Sequence, residues 1–281
     1  MSDCIGDKFI INTTEQPVSE LNDEWINTVA SVYEVLRVEE GIPLFVEDHL
    51  NRLFNTFRLC KIDFDLNKKD VQNSILRLIN INHVKSSPVK LIFINDGKKQ
   101  HFITCLMKAH KPTPTEYTTG VKTIILHEER KNPNAKVWNN SFRYKTENIL
   151  RQHSAFEAIL VNRNGYITEG SRSNIFLIKG KTIYTTPAGL VLPGITRQKV
   201  LNICNSIGNP VIEKMIYYKE LKDFESLFIT GTTREILPVR SVDKMVFTAE
   251  NKLMQRISDE YELLVADYIK HHSDRKFSPE S

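Results

Sequence analysis

The chain has 281 residues, a net charge of +4, 26% charged and 41% apolar residues, the profile of a globular protein with enough length for one large or two modest cores. So small a charge over this length leaves no electrostatic footprint for nucleic acid. No apolar run nears the roughly 18 residues of a membrane span, and the start MSDCIGDKF holds no secretory signal, so a cytoplasmic protein with no membrane partner is expected.

In chain order, VYEVLRV (32–38) reads as a strand and Glu39-Glu40-Gly41 as a turn. In VEDHLNRLFNTFRLC (46–60), Val46, Leu50, Leu53, Phe54 and Phe57 recur at helical spacing. Glu47 and Asp48 fall in its first turn, where the helix dipole favours negative charge. VQNSILRLI (71–79) suits a second helix, and VKLIFIND and HFITCLMK a strand pair turning around Gly97. Pro112 and Pro114 mark an extended interdomain connection over 112–118.

Beyond it, VKTIILHEE (121–129) reads as a strand and roughly 140–152 as a helix. Hairpins follow, with turns at Asn164-Gly165 and Lys179-Gly180. TRQKVLNICNSIG (196–208) switches to helical spacing with Gly208 as its stop, SLFITGTT is a strand entering a small-residue turn, and SDEYELLVADYIKHH closes the chain as a helix. This order gives an α+β protein: an N-terminal α/β domain (1–111), the linker 112–118, a C-terminal domain (119–270) and a frayed tail (271–281).

Only 11 glycines occur, and five of them (Gly165, Gly170, Gly180, Gly189, Gly194) fall within 30 residues, so the chain concentrates its sharp turns there. The four cysteines are far apart in sequence and form no CxxC, so reduced thiols are expected and no metal motif is present. Within the glycine window, Glu169 lies between strand-like runs beside a glycine and two serines; it is either a solvated strand-end carboxylate or a partly buried one that needs a cationic partner. Pro193-Gly194-Ile195-Thr196 opens a helix whose free N–H groups could hold an anion, or Thr196 could simply cap it. Thr230-Gly231-Thr232-Thr233 is a second donor-rich turn.

The stretch from Glu169 to Arg197 resembles the signature of the class IV, or fold-type IV, pyridoxal-phosphate aminotransferases, the group of branched-chain and D-amino-acid aminotransferases and aminodeoxychorismate lyase. The matching positions are Glu169, Ser171, Asn174, Ile175 and Phe176, then Ile183 and Thr185, then Leu192, Gly194, Ile195 and Arg197. VYEVLRV–DHLNRL and TGTTREILPV extend the resemblance over most of the chain. It implies two mixed α/β domains of the D-amino-acid aminotransferase-like fold, the cofactor pyridoxal 5'-phosphate and a homodimer.

The resemblance also implies roles. Such a cofactor needs a lysine for covalent attachment, an acid at its pyridine nitrogen and a phosphate clamp. Glu169 would be the acid. Ile195 N–H, Thr196, Thr232, Thr233 and Arg52 would hold the phosphate. The family separates lysine from acid by a helix and a strand, which favours Lys136, 33 residues before Glu169, over Lys145, 24 before it. Lys136 would also move the substrate proton. The sequence departs from relatives at Asn140-Ser141.

A substrate carboxylate needs cations or clustered N–H donors. Tyr33, Arg37, Arg172 and Arg234 are candidates, each with a structural ion-pair role as the alternative. The Arg-x-His pair of D-amino-acid enzymes is absent, although His101 ends that stretch. The expected activity is transfer of an amino group between a small amino acid and a 2-oxo acid. An aminodeoxychorismate lyase-like enzyme and a non-catalytic relative are the alternatives.

Overall fold

The computed structural model describes residues 4–21, 31–95, 99–108 and 111–273. The chain forms two compact units. The first contains Met1–His110, Ala135–Asn140 and Leu264–Ser281; the second contains Lys111–Asn134 and Ser141–Leu263.

The first unit is built on a six-stranded sheet of β1 (Cys4–Ile11), β2 (Thr14–Pro17), β3 (Val32–Glu39), β4 (Ile42–Pro43), β5 (Ser87–Asn95) and β6 (Gln100–Met107), ordered β2-β1-β6-β5-β3-β4. The helices α1 (Val46–Cys60) and α2 (Lys68–Ile81) supply Leu50, Leu53, Phe57, Val71, Ile75 and Leu78 to a core shared with Leu36, Val38, Val89, Leu91 and Phe93. The alternate residues Ile92 and Ile94 enter a second cluster with Phe9, Ile103 and Cys105. Both faces of β5 are therefore covered, which is why its LIFI stretch (91–94) is apolar without alternation. The expected turn at Gly97 lies outside the described residues.

The second unit carries a nine-stranded mixed sheet: β7 (Val121–His127), β8 (Glu157–Val161), β9 (Ile167–Gly170), β10 (Asn174–Lys179), β11 (Thr182–Thr185), β12 (Ile212–Glu213), β13 (Ser226–Gly231), β14 (Glu235–Val242) and β15 (Met245–Val246). β7 runs parallel to β8 and to β14, and β11 parallel to β12; the other pairs are antiparallel. Gly165 (φ +81°) and Gly180 (φ +58°) make the two expected hairpin turns in conformations that favour glycine.

Three segments differ from the sequence-based boundaries. The connection 112–118 is not wholly extended: it contains α3 (Pro114–Thr119), with Pro at its start and a reciprocal cap between Thr113 and Glu116. Proline suits the first helical position, and Thr-x-x-Glu satisfies the free N–H groups there. Residues 135–140, assigned by sequence to the C-terminal domain, belong to the first unit. There Tyr33 N–H donates to Lys136 O at 3.2 Å and Trp138 N–H to Ser31 O at 2.8 Å. The closing helix, following α4 (Asn140–His153) and α5 (Ile195–Ser206), is α6 (Lys252–Ser273), and it joins the first unit from Leu264 onward. Helix therefore continues through 271–273, inside the expected tail, and residues 274–281 lie outside the described residues. Among the described residues, no helix is long and apolar enough to cross a membrane.

Candidate active site

In the first unit, β3 alternates its side chains. Glu34 lies on the same face as Leu36 and Val38, against α1, and is fully buried. A buried carboxylate needs charged and hydrogen-bonded partners. Arg52, on the inward face of α1, supplies them: Nε donates to Glu34 Oε2 at 3.0 Å and Nη2 to Oε1 at 2.5 Å. His49 Nδ1, one turn earlier, lies 3.1 Å from Oε1. Burial raises the Glu34 carboxyl, but Arg52, His49 and Lys136 together bring it well below the ordinary carboxylate range. Burial pushes His49 down, against the pull of Glu34.

Lys136 sits beside this group. Its N–H donates to Thr56 Oγ1 at 3.4 Å, and its Nζ lies 4.7 Å from the centre of the Tyr33 ring. Val137 bridges Val32, and Tyr33 packs edge-on against Trp138 with ring centres 5.2 Å apart. Trp138 Nε1 donates to Asn140 Oδ1, which gives Asn140 a local role. The buried Lys90 ammonium rests 3.8 Å from the Trp138 ring centre. Arg37 is buried on β3. Lys145 instead lies on α4, with its side chain 57% exposed and paired with Glu128.

In the second unit, Glu169 on β9 is 3% exposed. Its Oε2 accepts the Leu192 N–H at 3.0 Å and Asn174 Nδ2 at 3.5 Å, and Arg130 Nε lies 3.1 Å from Oε1. The partly buried carboxylate with a cationic partner is thus the arrangement observed. Asn174 also donates to Leu192 O at 2.9 Å, which fixes the chain just ahead of α5. Gly194 is the N-cap of α5, and no side chain among the described residues caps its first turn. Thr196 is the second residue of the helix and is buried with Ile195, so it does not occupy the capping position. The helix start therefore offers backbone N–H groups and a hydroxyl suited to an anion.

Thr232 and Thr233 are half-buried in the turn between β13 and β14. A Cβ on Gly231 would lie 3.5 Å from Arg172 O, so this turn packs against the Ser171–Ser173 turn. Asn174 pairs directly with Thr230, and the buried Thr230 Oγ1 has no hydrogen-bond partner among the described residues. The buried carboxylate, the helix start and these hydroxyls match the chemical needs of a phosphorylated pyridine.

The sequence reading missed the group beneath these turns. Glu157, at the start of β8, is fully buried and accepts from Ala158 N–H at 2.9 Å, Arg172 N–H at 3.2 Å, Ser173 Oγ at 3.0 Å and Ser171 Oγ. Burial raises its carboxyl, but Arg234, Arg172 and the Ser171 hydroxyl outweigh it, and the net shift is downward. Burial brings the Arg234 guanidinium down to about 10 against the support of Glu157. Arg234 is buried, and its charge is offset electrostatically by Glu157. Arg172 contributes its N–H to Glu157, and its side chain lies 3.9 Å from Glu147. The available signals were charged residues at positions of otherwise apolar strands, Glu34 within VYEVLRV and Glu157 before AILV.

The amino-transferase class IV family model matches residues 31–242. The chain belongs to this family. This class IV aminotransferase is 32% identical over 224 residues to the D-alanine aminotransferase of Bacillus licheniformis, covering 75% of this chain and 78% of that protein. It is 27% identical over 249 residues to a putative branched-chain-amino-acid aminotransferase of Methanocaldococcus jannaschii, covering 81% and 86%. Its fold superimposes on the branched-chain amino acid aminotransferase from Escherichia coli with a TM-score of 0.81 at 21% identity, covering 93% of this chain and 95% of that one. With a T.th. branched-chain amino acid aminotransferase bearing pyridoxamine 5'-phosphate, the TM-score is 0.85 at 20% identity, covering 95% and 98%. The aminotransferase is a pyridoxal-phosphate-dependent transaminase of the fold-type IV α+β class.

Proposed function

We propose that this aminotransferase moves the amino group of a small amino acid to a 2-oxo acid as a homodimer, with Lys136 as the covalent cofactor lysine and Glu169 as the acid at the pyridine nitrogen. The observation that carries the assignment of Glu169 is its burial together with Arg130, Asn174 and the Leu192 N–H, which hold a carboxylate in one orientation. Pyridoxal phosphate supplies an electrophilic carbon and an electron-accepting ring. The carboxylate of Glu169 keeps the ring nitrogen protonated. Ile195 N–H, Thr196, Thr232, Thr233 and Arg52 hold the phosphate. The Lys136 amine would carry the proton lost from the substrate Cα. Lys136 is favoured over Lys145 because its backbone is tied at both N–H and C=O, whereas Lys145 is exposed and paired with Glu128. Tyr33, Arg37 and Arg172 are the candidate substrate contacts.

The test is the absorption of the purified holoenzyme together with turnover on L- and D-amino acids, using pyruvate and 2-oxoglutarate as acceptors. Lys136→Ala is expected to abolish the covalent cofactor band and turnover, while Lys145→Ala keeps both. The reverse result would transfer the role to Lys145. The homodimer is checked by light scattering.

A further inference from the structure

Cys4 and Cys105 are 101 positions apart in the chain, yet their Sγ atoms lie 2.9 Å apart. Neither is in a disulfide; Cys105 is fully buried on β6 and Cys4 half-buried as the first residue of β1. The two strands are antiparallel neighbours, with Cys4 opposite Met107 and Ile5 opposite Leu106. Cys105 is thus the diagonal neighbour of Cys4 on one face of the sheet. The register slips between Ile5 and Ile10, where Gly6 takes a φ of +90°. The separation is shorter than the sum of two sulfur radii. A movement of less than an ångström would bring the atoms to the roughly 2.05 Å of a disulfide.

We propose that Cys4 and Cys105 form a redox-modifiable dithiol, which a small-molecule disulfide converts into an intramolecular cystine tying β1 to β6. The step balances as thiol–disulfide exchange. The Cys4 thiolate attacks one sulfur of the small disulfide and expels one thiolate. The Cys105 sulfur then gives up its proton and attacks the Cys4 sulfur, expelling the second. Two protein thiols lose two electrons and two protons; one small disulfide gains them and leaves as two thiols. Cys4 reacts first because it is the more accessible sulfur. In addition, its hydrogen bond to Cys105, with burial, raises the Cys105 thiol, against the opposing ammonium of Lys90 directly across on β5.

The experiment exposes the holoenzyme to oxidised glutathione, alkylates the remaining thiols and digests without reductant. Two of the four thiols are expected to disappear, with a linked peptide pair containing Cys4 and Cys105, and dithiothreitol should restore all four. The Cys60→Ser variant should keep this two-thiol loss. Cys4→Ser, altered only at the first residue of a strand, should abolish the link. Retention of all four thiols overturns the proposal. So does a glutathione adduct on Cys4 with no link, a link to Cys60, Cys204 or another chain, or a two-thiol loss that persists in Cys4→Ser.

Discussion

The backbone N–H of Leu192 donates to Glu169 Oε2 at 3.0 Å, so the carboxylate on β9 also anchors the loop that leads into α5. Glu169→Gln keeps a carbonyl oxygen able to accept this bond and removes the charge. The variant should fold and bind cofactor while turnover falls by about 10²–10³, the scale of losing a preorganised electrostatic contact. Steady-state kinetics with a cofactor titration separate the two effects. Near-native turnover in Glu169→Gln would remove this residue from the chemistry.

Gly194 has no room for a side chain. A Cβ there would lie 2.1 Å from Asn174 Oδ1, and Asn174 holds Leu192 O. Gly194→Ala should therefore displace Asn174 and the start of α5, at a cost of about 1–3 kcal/mol. Cofactor affinity should weaken along with thermal stability. Unchanged affinity in a destabilised variant would mean that the helix start does not hold the phosphate.

Glu157 accepts four hydrogen bonds and offsets the charge of the buried Arg234, so Glu157→Ala should cost about 3–5 kcal/mol by leaving that guanidinium and those donors uncompensated. Its pH signature has a defined sign. The folded carboxyl lies below the unfolded value, so its stabilisation is present above the unfolded range and is lost as pH falls through the folded value. Glu157→Gln should be less stable at neutral pH and show a shallower acid loss. Urea denaturation across the acid range measures this, and parallel acid limbs in both proteins would count against it.

His49 contributes at milder pH. Burial places its folded value below the ordinary 6.5, so on acidification the unfolded chain takes up the proton first. Stability should be full above about pH 6.5 and decline as pH falls from there through the lower folded value. His49→Gln should remove this part of the slope. If the slope survives the substitution, the loss originates elsewhere. Glu34→Gln should be more damaging, because it leaves Arg52 without the carboxylate that accepts from both Nε and Nη2.

Local order was legible where neighbouring residues decide it. The span of α1, the glycine turns at 165 and 180, and the Glu169–Arg197 pattern all follow from spacing within a few dozen residues. Periodicity and turn chemistry act over that range. The helix at 114–119 shared this local character, but its Thr113–Glu116 cap was masked by the two prolines.

Partnerships between distant residues are another matter. Nothing in the local pattern pairs Cys4 with Cys105, gives Arg52 and His49 to Glu34, or joins residues 135–140 to β3. Such pairings arise from strand register and from the need of each buried charge for an opposite one, and both are settled only when distant segments pack. The order of amino acids alone carries the family pattern, the cofactor chemistry it implies and most of the helices and hairpins. Packing selects which carboxylates are buried, which cations compensate them and which thiols meet, because burial and long-range contact exist only in the folded chain.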